Sequence, residues 1–307
     1  MSRRIVLLFS LLLFLIPLAD AQQPFRFVAF GDTGSGSKAQ QRVADQIWNW
    51  MHDHPFKVVV MLGDNVYGNH EISGGGDPRF FHDKFDLQYE RFQQAGVVFH
   101  AAVGNHDMQT RHAQAEIDDV RRFGILGHDG YYQFSSPGEY DVAGRPLVEF
   151  FCINSELHGV KLTEQTAWLD KALGGSKAVW KVVFLHHPLY TVRGQHSPAV
   201  ELRELIRPAM EKNHVQIILA GHNHFYARMK PVDGALQIIS GGGGRHLAFP
   251  RNDACAILSE RKYHFVGAEA YPDRIQFTAI DQYGQKFDDV VVDEGILKQG
   301  TLGCPKR

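Results

Sequence analysis

The sequence predicts an α/β fold, and three observations carry that expectation. Segments that read as strands alternate with segments that read as helices. Several strand segments are apolar at consecutive positions, as expected when both faces of a sheet are covered. Five of them break off into polar residues, and in open α/β sheets the binding crevice lies outside the carboxyl ends of the strands.

The elements follow in order. Phe25-Arg26-Phe27-Val28-Ala29-Phe30 reads as a first strand. Lys38 to His54 is an amphipathic helix with Val43, Ile47, Trp50 and Met51 on one face. Phe56 to Leu62 is a second strand, and Gly74-Gly75-Gly76 leads into a helical stretch from about Arg79 to Gln94. Val97 to Val103 is a third strand, and about Gln109 to Phe123 a polar, helical insertion. Leu147 to Ile153 and Trp180 to Leu185 are strands on either side of a helix that Thr163 caps and Gly174-Gly175 ends. Ser197-Pro198 opens the next helix, with serine as cap and proline in the first turn. Val215 to Ala220 and Ala235 to Ser240 are strands. From about Lys262 to Val292 the pattern alternates like hairpins, with turns at Pro272-Asp273 and Tyr283-Gly284. No repeat or linker interrupts the series, so 22–307 reads as a single domain.

Of the 307 residues, 44% are hydrophobic and 21% charged, enough for a sizeable core. A formal charge of −2 offers no electrostatic basis for binding nucleic acid. Residues 1–21 stand apart. Arg3-Arg4 precede a Leu-rich run from Ile5 to Ile16, and Ala19-Asp20-Ala21 is an A-x-A cleavage pattern. The run is short for a bilayer span. It reads as a signal peptide cut after Ala21, with an uncleaved anchor as the alternative. The very apolar core favours the general export route over a twin-arginine one. The mature chain, with 30 basic against 33 acidic residues, is then secreted or periplasmic without a stable membrane anchor. Three cysteines allow one disulfide. Cys152 lies in an apolar strand, and Cys255 with Cys304 are the candidates for a bridge. Nothing in the sequence fixes an oligomeric state.

Histidine is abundant, with 17 copies, and the informative ones stand at strand ends. The endings are Gly31-Asp32-Thr33-Gly34, Gly63-Asp64-Asn65-Val66-Tyr67, Gly104-Asn105-His106-Asp107, His186-His187-Pro188 and Gly221-His222-Asn223-His224. One aspartate or histidine at a strand end is ordinarily a turn residue or a helix cap. Five such endings in series are hard to obtain that way. Carboxylate, phenol, amide and imidazole suit hard or borderline metals rather than a thiolate site. So many donors exceed the needs of one tetrahedral ion. They suit two ions bridged by a shared carboxylate, the arrangement used for in-line displacement at phosphorus.

In this order, GDTG, GDNVY, GNHD, HHP and GHNH resemble the metallophosphoesterase superfamily. Tyr67 within GDNVY makes the chain similar to purple acid phosphatases, especially the small, single-domain, tartrate-resistant type. The resemblance covers about Phe25 to Gly244. It implies a four-layer α/β/β/α sandwich, the calcineurin-like metallophosphoesterase fold. It assigns Asp32, Asp64, Tyr67 and His224 to one metal, and Asp64, Asn105, His186 and His222 to the other, with Asp64 shared. The first environment is richer in anions and suits Fe(III); the second suits Fe(II), Zn(II) or Mn(II). The implied activity is that of an acid phosphatase acting on small phosphorylated substrates. A metal-bound hydroxide attacks the phosphomonoester, and His106 protonates or stabilises the leaving alkoxide. Asp107 is expected to orient His106, and Asn65 and His187 to support the ligands. His196, ten residues after His186, is either a substrate contact or a solvated residue ahead of Ser197. The loop from Ser240 to His246 either lines the pocket or is a flexible turn.

Two rival readings remain open at this point. A phosphodiesterase or nucleotidase of the same superfamily keeps the metals and changes the substrate. Gly34-Ser35-Gly36-Ser37-Lys38-Ala39 also fits the dinucleotide pattern G-x-G-x-x-A. That reading leaves the histidine clusters without a role.

Overall fold

The computed structural model describes residues 23–69, 73–138, 140–141 and 143–299. The expected export segment, 1–21, and Cys304 lie outside them. Strands β1 (Phe25–Phe30), β2 (Val58–Met61) and β3 (Val98–Ala101) are followed by β4 (Tyr132–Ser135), β5 (Val148–Ile153), β6 (Trp180–Leu185) and β7 (Ile217–Ala220). Then come β8 (Tyr226–Met229), β9 (Leu236–Ser240), β10 (Ala256–Glu260), β11 (His264–Ala270), β12 (Ile275–Asp281) and β13 (Lys286–Val292).

They form two mixed sheets. The first runs β13-β12-β11-β1-β2-β3, the second β10-β8-β9-β7-β6-β5-β4. In the first, β1, β2 and β3 are parallel, and β11 to β13 add the antiparallel hairpins expected from the alternating tail. In the second, β5, β6, β7 and β9 are parallel. Parallel neighbours need a crossover, and the helices Gly159–Gly175 and Val200–Lys212 supply it between β5, β6 and β7.

The layering follows from strand periodicity. In β5, Phe150 and Cys152 face the core between the sheets, whereas Phe151 and Ile153 pack with Leu162, Leu169 and Leu173 of the covering helix. Val182 and Phe184 of β6 likewise face inward, and Val183 and Leu185 outward. Phe27 of β1 meets Phe150 edge to face across the sheets, with ring centroids 5.0 Å apart. On the far side of the first sheet, Phe30 meets Tyr89 of the helix Leu87–Gln94 at 5.7 Å, and the helix Lys38–Asp53 buries Val43 and Ile47. Helix, sheet, sheet, helix is therefore the order of layers. The consecutive apolar residues of the strands serve two cores at once.

Several local expectations need correction. Thr163 does not cap its helix, which begins four residues earlier at Gly159; its hydroxyl instead donates to the Gly159 carbonyl. Ser197-Pro198 lies ahead of the helix Val200–Lys212, whose capping residue is Ala199, without a side-chain cap. The stretch from Arg79 to Gln94 is a 3₁₀ turn, a π turn and an α-helix in succession. The insertion after Gln109 breaks into short turns because Arg111, His112 and Ala113 all take left-handed φ values. Strands β4, β8 and β10 were not expected. Cys152 is a buried free thiol and Cys255 is disulfide-bonded.

Two buried histidines away from the strand ends make stability pH-dependent. His100 in β3 stacks on Phe134 with ring centroids 3.6 Å apart. His264 is fully buried against Ser240 and the Lys262 carbonyl. Burial pushes each imidazole down to about 4. Unfolded, both titrate near about 6.5. The unfolded chain therefore binds more protons across that window, and stability falls as pH drops from about 6.5 to about 4. H100F should flatten this slope, measured as the denaturant midpoint against pH; an unchanged slope would remove His100 from the account.

Candidate metal centre

The carboxyl ends of β1, β2 and β3 in one sheet meet those of β6 and β7 in the other. Two bonds stitch the sheets together here: Gly31 N donates to Ser240 O, at the end of β9, at 2.8 Å, and His222 N donates to Asp32 Oδ2 at 2.8 Å. Asp32, Asp64 and His222 have φ of 56°, 52° and 68°. Left-handed backbone is uncommon for such residues and is tolerated where the surroundings over-determine it. At each position the turn points the side chain back over the strand ends instead of onward into the next element.

Packing there is tight enough to demand glycine. A Cβ on Gly104 would lie 2.3 Å from Asp64 Oδ1, and one on Gly63, itself at φ +83°, would lie 2.5 Å from His186 Nδ1. These glycines let the loops approach one another.

Several of the candidate donors come together. One ligand-type atom each from Asp32, Asp64 and His186 lies within a 4.8 Å cluster, and so does one each from His186, His187 and His222. Tyr67 OH sits 3.3 Å from both Asp32 Oδ1 and His224 Nε2. His224 Nε2 is 3.4 Å from Asp32 Oδ1, and His186 Nε2 is 3.4 Å from Asp64 Oδ1. Asn105 Oδ1 is 3.0 Å from His186 Nε2, whose other neighbour, His222 Nδ1, is at 3.2 Å. Most of these separations are long for direct hydrogen bonds. Hard oxygen with imidazole nitrogen at these spacings is a donor set that could hold a metal ion.

The electrostatics agree. Burial, together with Asp64 and Asp32, pushes the Tyr67 phenol well above its usual range. Burial also works against ionised Asp64, but His186 and His106 overcome it and hold the carboxyl below its ordinary value. Burial opposes protonation of His186, yet Asp64 and Asp32 carry its imidazole up to about 9. A cation between these groups would replace that proton, since a ligating imidazole is neutral.

Further groups hold the donors in place, and the sequence pointed to only some of them. Asp107 does not orient His106. Its carboxylate accepts from the backbone N–H groups of Gly104 (2.9 Å), Val66 (3.0 Å) and Asn65 (3.1 Å), tying two ligand loops together. Asn65 Nδ2 bonds Ala102 O, Asp107 and the buried Glu116. The residue on the His106 ring is Gln109, whose Nε2 lies 3.0 Å from Nδ1. His187 Nε2 stands 3.3 Å from Glu156 Oε1 and 3.4 Å from Asn105 Oδ1. Gln109 and Glu156 carry no motif signal, because turns of irregular backbone bring them in.

His196 reaches the cluster, its ring 4.2 Å from that of His222 and roughly parallel to it. The loop after β9 also lines the site. Arg245 places its guanidinium 4.5 Å over the Tyr67 ring, and the His246 carbonyl is 2.9 Å from His224 Nδ1. The stretch from Gly34 to Ala39 is a brace, not a phosphate cradle. Gly34 N donates to Asp64 O, Gly36 N to Gln40 Oε1, and both Ser35 and Ser37 hydroxyls to Gly244 O.

A family model, calcineurin-like phosphoesterase, matches residues 25–226. The chain belongs to that family. Among curated relatives, purple acid phosphatase 3 of Arabidopsis thaliana is 29% identical over 234 residues, covering 71% of this chain and 62% of the relative. Tartrate-resistant acid phosphatase type 5 of Oryctolagus cuniculus is 27% identical over 250 residues, covering 75% and 76%. Two solved structures share the fold. GAP50, the anchor in the inner membrane complex of Plasmodium, superposes with a TM-score of 0.75 at 15% identity, covering 89% of each chain. Purple acid phosphatase PPD1 from yellow lupin superposes with 0.70 at 18% identity, covering 92% of this chain and 56% of that one. Membership in the family implies a metal centre.

The crowding at Gly104 gives a direct check. G104A should displace the Asp64 carboxylate at a stability cost of about 1–3 kcal/mol, the usual range for overpacking. Metal analysis of the purified variant should show loss of bound metal while circular dichroism stays native. Full metal occupancy would contradict the packing argument.

Proposed function

We propose that the protein is an exported acid phosphatase that hydrolyses phosphomonoesters at a dinuclear metal centre. The supporting observation is the position of Asp64. Its carboxylate lies 3.4 Å from His186 Nε2, accepts the His106 backbone N–H at 3.0 Å, and its charge acts on the Tyr67 phenol, so it faces both donor groups. Asp32, Asp64, Tyr67 and His224 would hold trivalent iron, and Asp64, Asn105, His186 and His222 a divalent iron, zinc or manganese ion. When bound, such a pair polarises phosphoryl oxygens and supplies a water of lowered pKa. Relatives named as purple acid phosphatases, one of them an Fe(3+)-Zn(2+) enzyme, favour this reading over a diesterase. No helix among the described residues is long and apolar enough to cross a membrane, which is compatible with export.

His106 has the geometry of a hydrogen-bond donor to the leaving group. The Gly75 N–H donates to Gln109 Oε1 at 3.0 Å, which fixes the amide so that Nε2 faces His106. That amide can only donate, so Nδ1 accepts and the ring carries its proton on Nε2. His106 is half-buried, its ring 4.7 Å from that of Tyr67, and its Nε2–H can donate a hydrogen bond that stabilises charge on the departing oxygen. His196 and Arg245 border the same site and supply donors for phosphate oxygens.

The purified protein should cleave p-nitrophenyl phosphate in preference to its bis-ester, and on an alkyl phosphate such as glycerol 2-phosphate H106A should lower kcat by about 10²–10³-fold, the effect of one donor to a developing anion. Preference for the diester would replace this reading with that of a phosphodiesterase. The visible spectrum tests the metal assignment. Wild type should show a tyrosinate-to-iron band and contain iron, and Y67F should lose the band. A colourless, iron-free protein with two other metals bound would exclude the purple type and leave the family assignment intact.

A further inference from the structure

Beside the metal centre lies a cavity of about 510 Å³ that the catalytic reading does not use. Its partition is the segment Gln195-His196. Gln195 Oε1 accepts from the backbone N–H of His224 at 2.7 Å, and the His196 ring rests on His222. Both residues line the cavity as well, so its inner end is one side chain away from the proposed ligands.

The charges around this cavity are unbalanced in a particular way. Its acids are already engaged. Glu204 pairs with Arg203 at 2.9 Å and Arg207 at 3.7 Å, Asp233 lies 3.9 Å from Arg207, and Asp253 Oδ1 accepts from the Cys255 N–H at 2.9 Å. Three further cations line it: Arg193, Lys230 and Arg251. Among the described residues, none of their side chains has an ion pair or a hydrogen bond. Two of them are held together by the backbone, since Arg251 N donates to Arg193 O at 2.7 Å. Gly194 permits that approach, because a Cβ there would meet Phe249 O at 2.6 Å. Three cations against one unpaired carboxylate, Asp253, leave an excess of positive charge that raises the local potential and favours an anion. Tyr190, Val192 and Met229 add an apolar wall, which gives the cavity the mixed lining of a small-molecule site.

We propose that this cavity is a second subsite, which takes the leaving group of phosphomonoesters carrying a further phosphate. The scissile phosphate sits at the strand ends, and the second anion lies against Arg193, Lys230 and Arg251. The inference rests on the phosphatase reading and narrows its substrate class to small bisphosphorylated compounds.

Fructose 1,6-bisphosphate and fructose 6-phosphate are matched probes, with p-nitrophenyl phosphate as a substrate lacking a second anion. Wild type should prefer the bisphosphate over the monophosphate in kcat/KM by about tenfold, the effect of one or two charge-assisted hydrogen bonds. The R193Q/R251Q variant should lose that preference, chiefly through KM, while its rate on p-nitrophenyl phosphate stays within about twofold of wild type. Equal kcat/KM for both sugar phosphates, or a preference that survives in the variant, overturns the subsite. Should wild type hydrolyse no phosphomonoester, the phosphatase reading falls, and titration calorimetry with fructose 1,6-bisphosphate decides the subsite alone. Binding that depends on the two arginines supports it, and binding that does not, or none, overturns it.

Discussion

A carboxylate sealed between two sheets governs this molecule. Asp64 is almost wholly buried, and an isolated ionised carboxylate in such a place would be prohibitively unstable. Its compensation comes from every side. His106 donates its backbone N–H at 3.0 Å, and the His186 imidazole stands 3.4 Å away, its charge and that of His106 holding the carboxyl ionised. Those partners belong to different strands and, for His186, to the other sheet. Keeping one charge inside therefore requires both sheets to be in register and the ligand loops to be docked.

The same requirement explains where the fold departs from regularity. Left-handed backbone at Asp32, Asp64 and His222 is strained, and it occurs where side chains must turn back over the strand ends. The regular core offsets that strain. Phe27, Phe150 and Phe184 fill the space between the sheets, and Leu169 and Val183 fill the layer beneath the second-sheet helices. Asp107 links the two regimes: a buried carboxyl, pushed up to about 7 chiefly by burial and then by Asp64, that spends its oxygens on loop N–H groups. It belongs to the framework of the site rather than to its chemistry.

Much of this was legible in the sequence, for a physical reason. Strands covered on both faces must be apolar throughout, so β1, β2, β5 and β6 announced themselves. The polar residues that interrupt them had to lie at their ends. The strands that were missed are edge or short antiparallel ones. Tyr132–Ser135 and Ala256–Glu260 border the second sheet, and their half-exposed residues carry no continuous apolar signal. Helix starts at Thr163 and Ser197 were misplaced because capping chemistry is weaker than tertiary docking. Gln109, Glu156, Arg193 and Arg251 could not be placed from sequence. Their positions depend on loops whose paths are set by contacts far along the chain.

The pairing of β1 with β11 sets an order of events. Phe25 lies opposite Ala270, so the first strand of the fold waits for nearly the last to complete its sheet. Long-range pairings of this kind form late. The sheet edge beside Asp32 stays open until the tail arrives. If the chain is exported unfolded, as proposed, the ligands would first be assembled on the far side of the membrane. The metals that fill the site would then be those of the destination compartment, selected from its supply rather than from that of the cytoplasm.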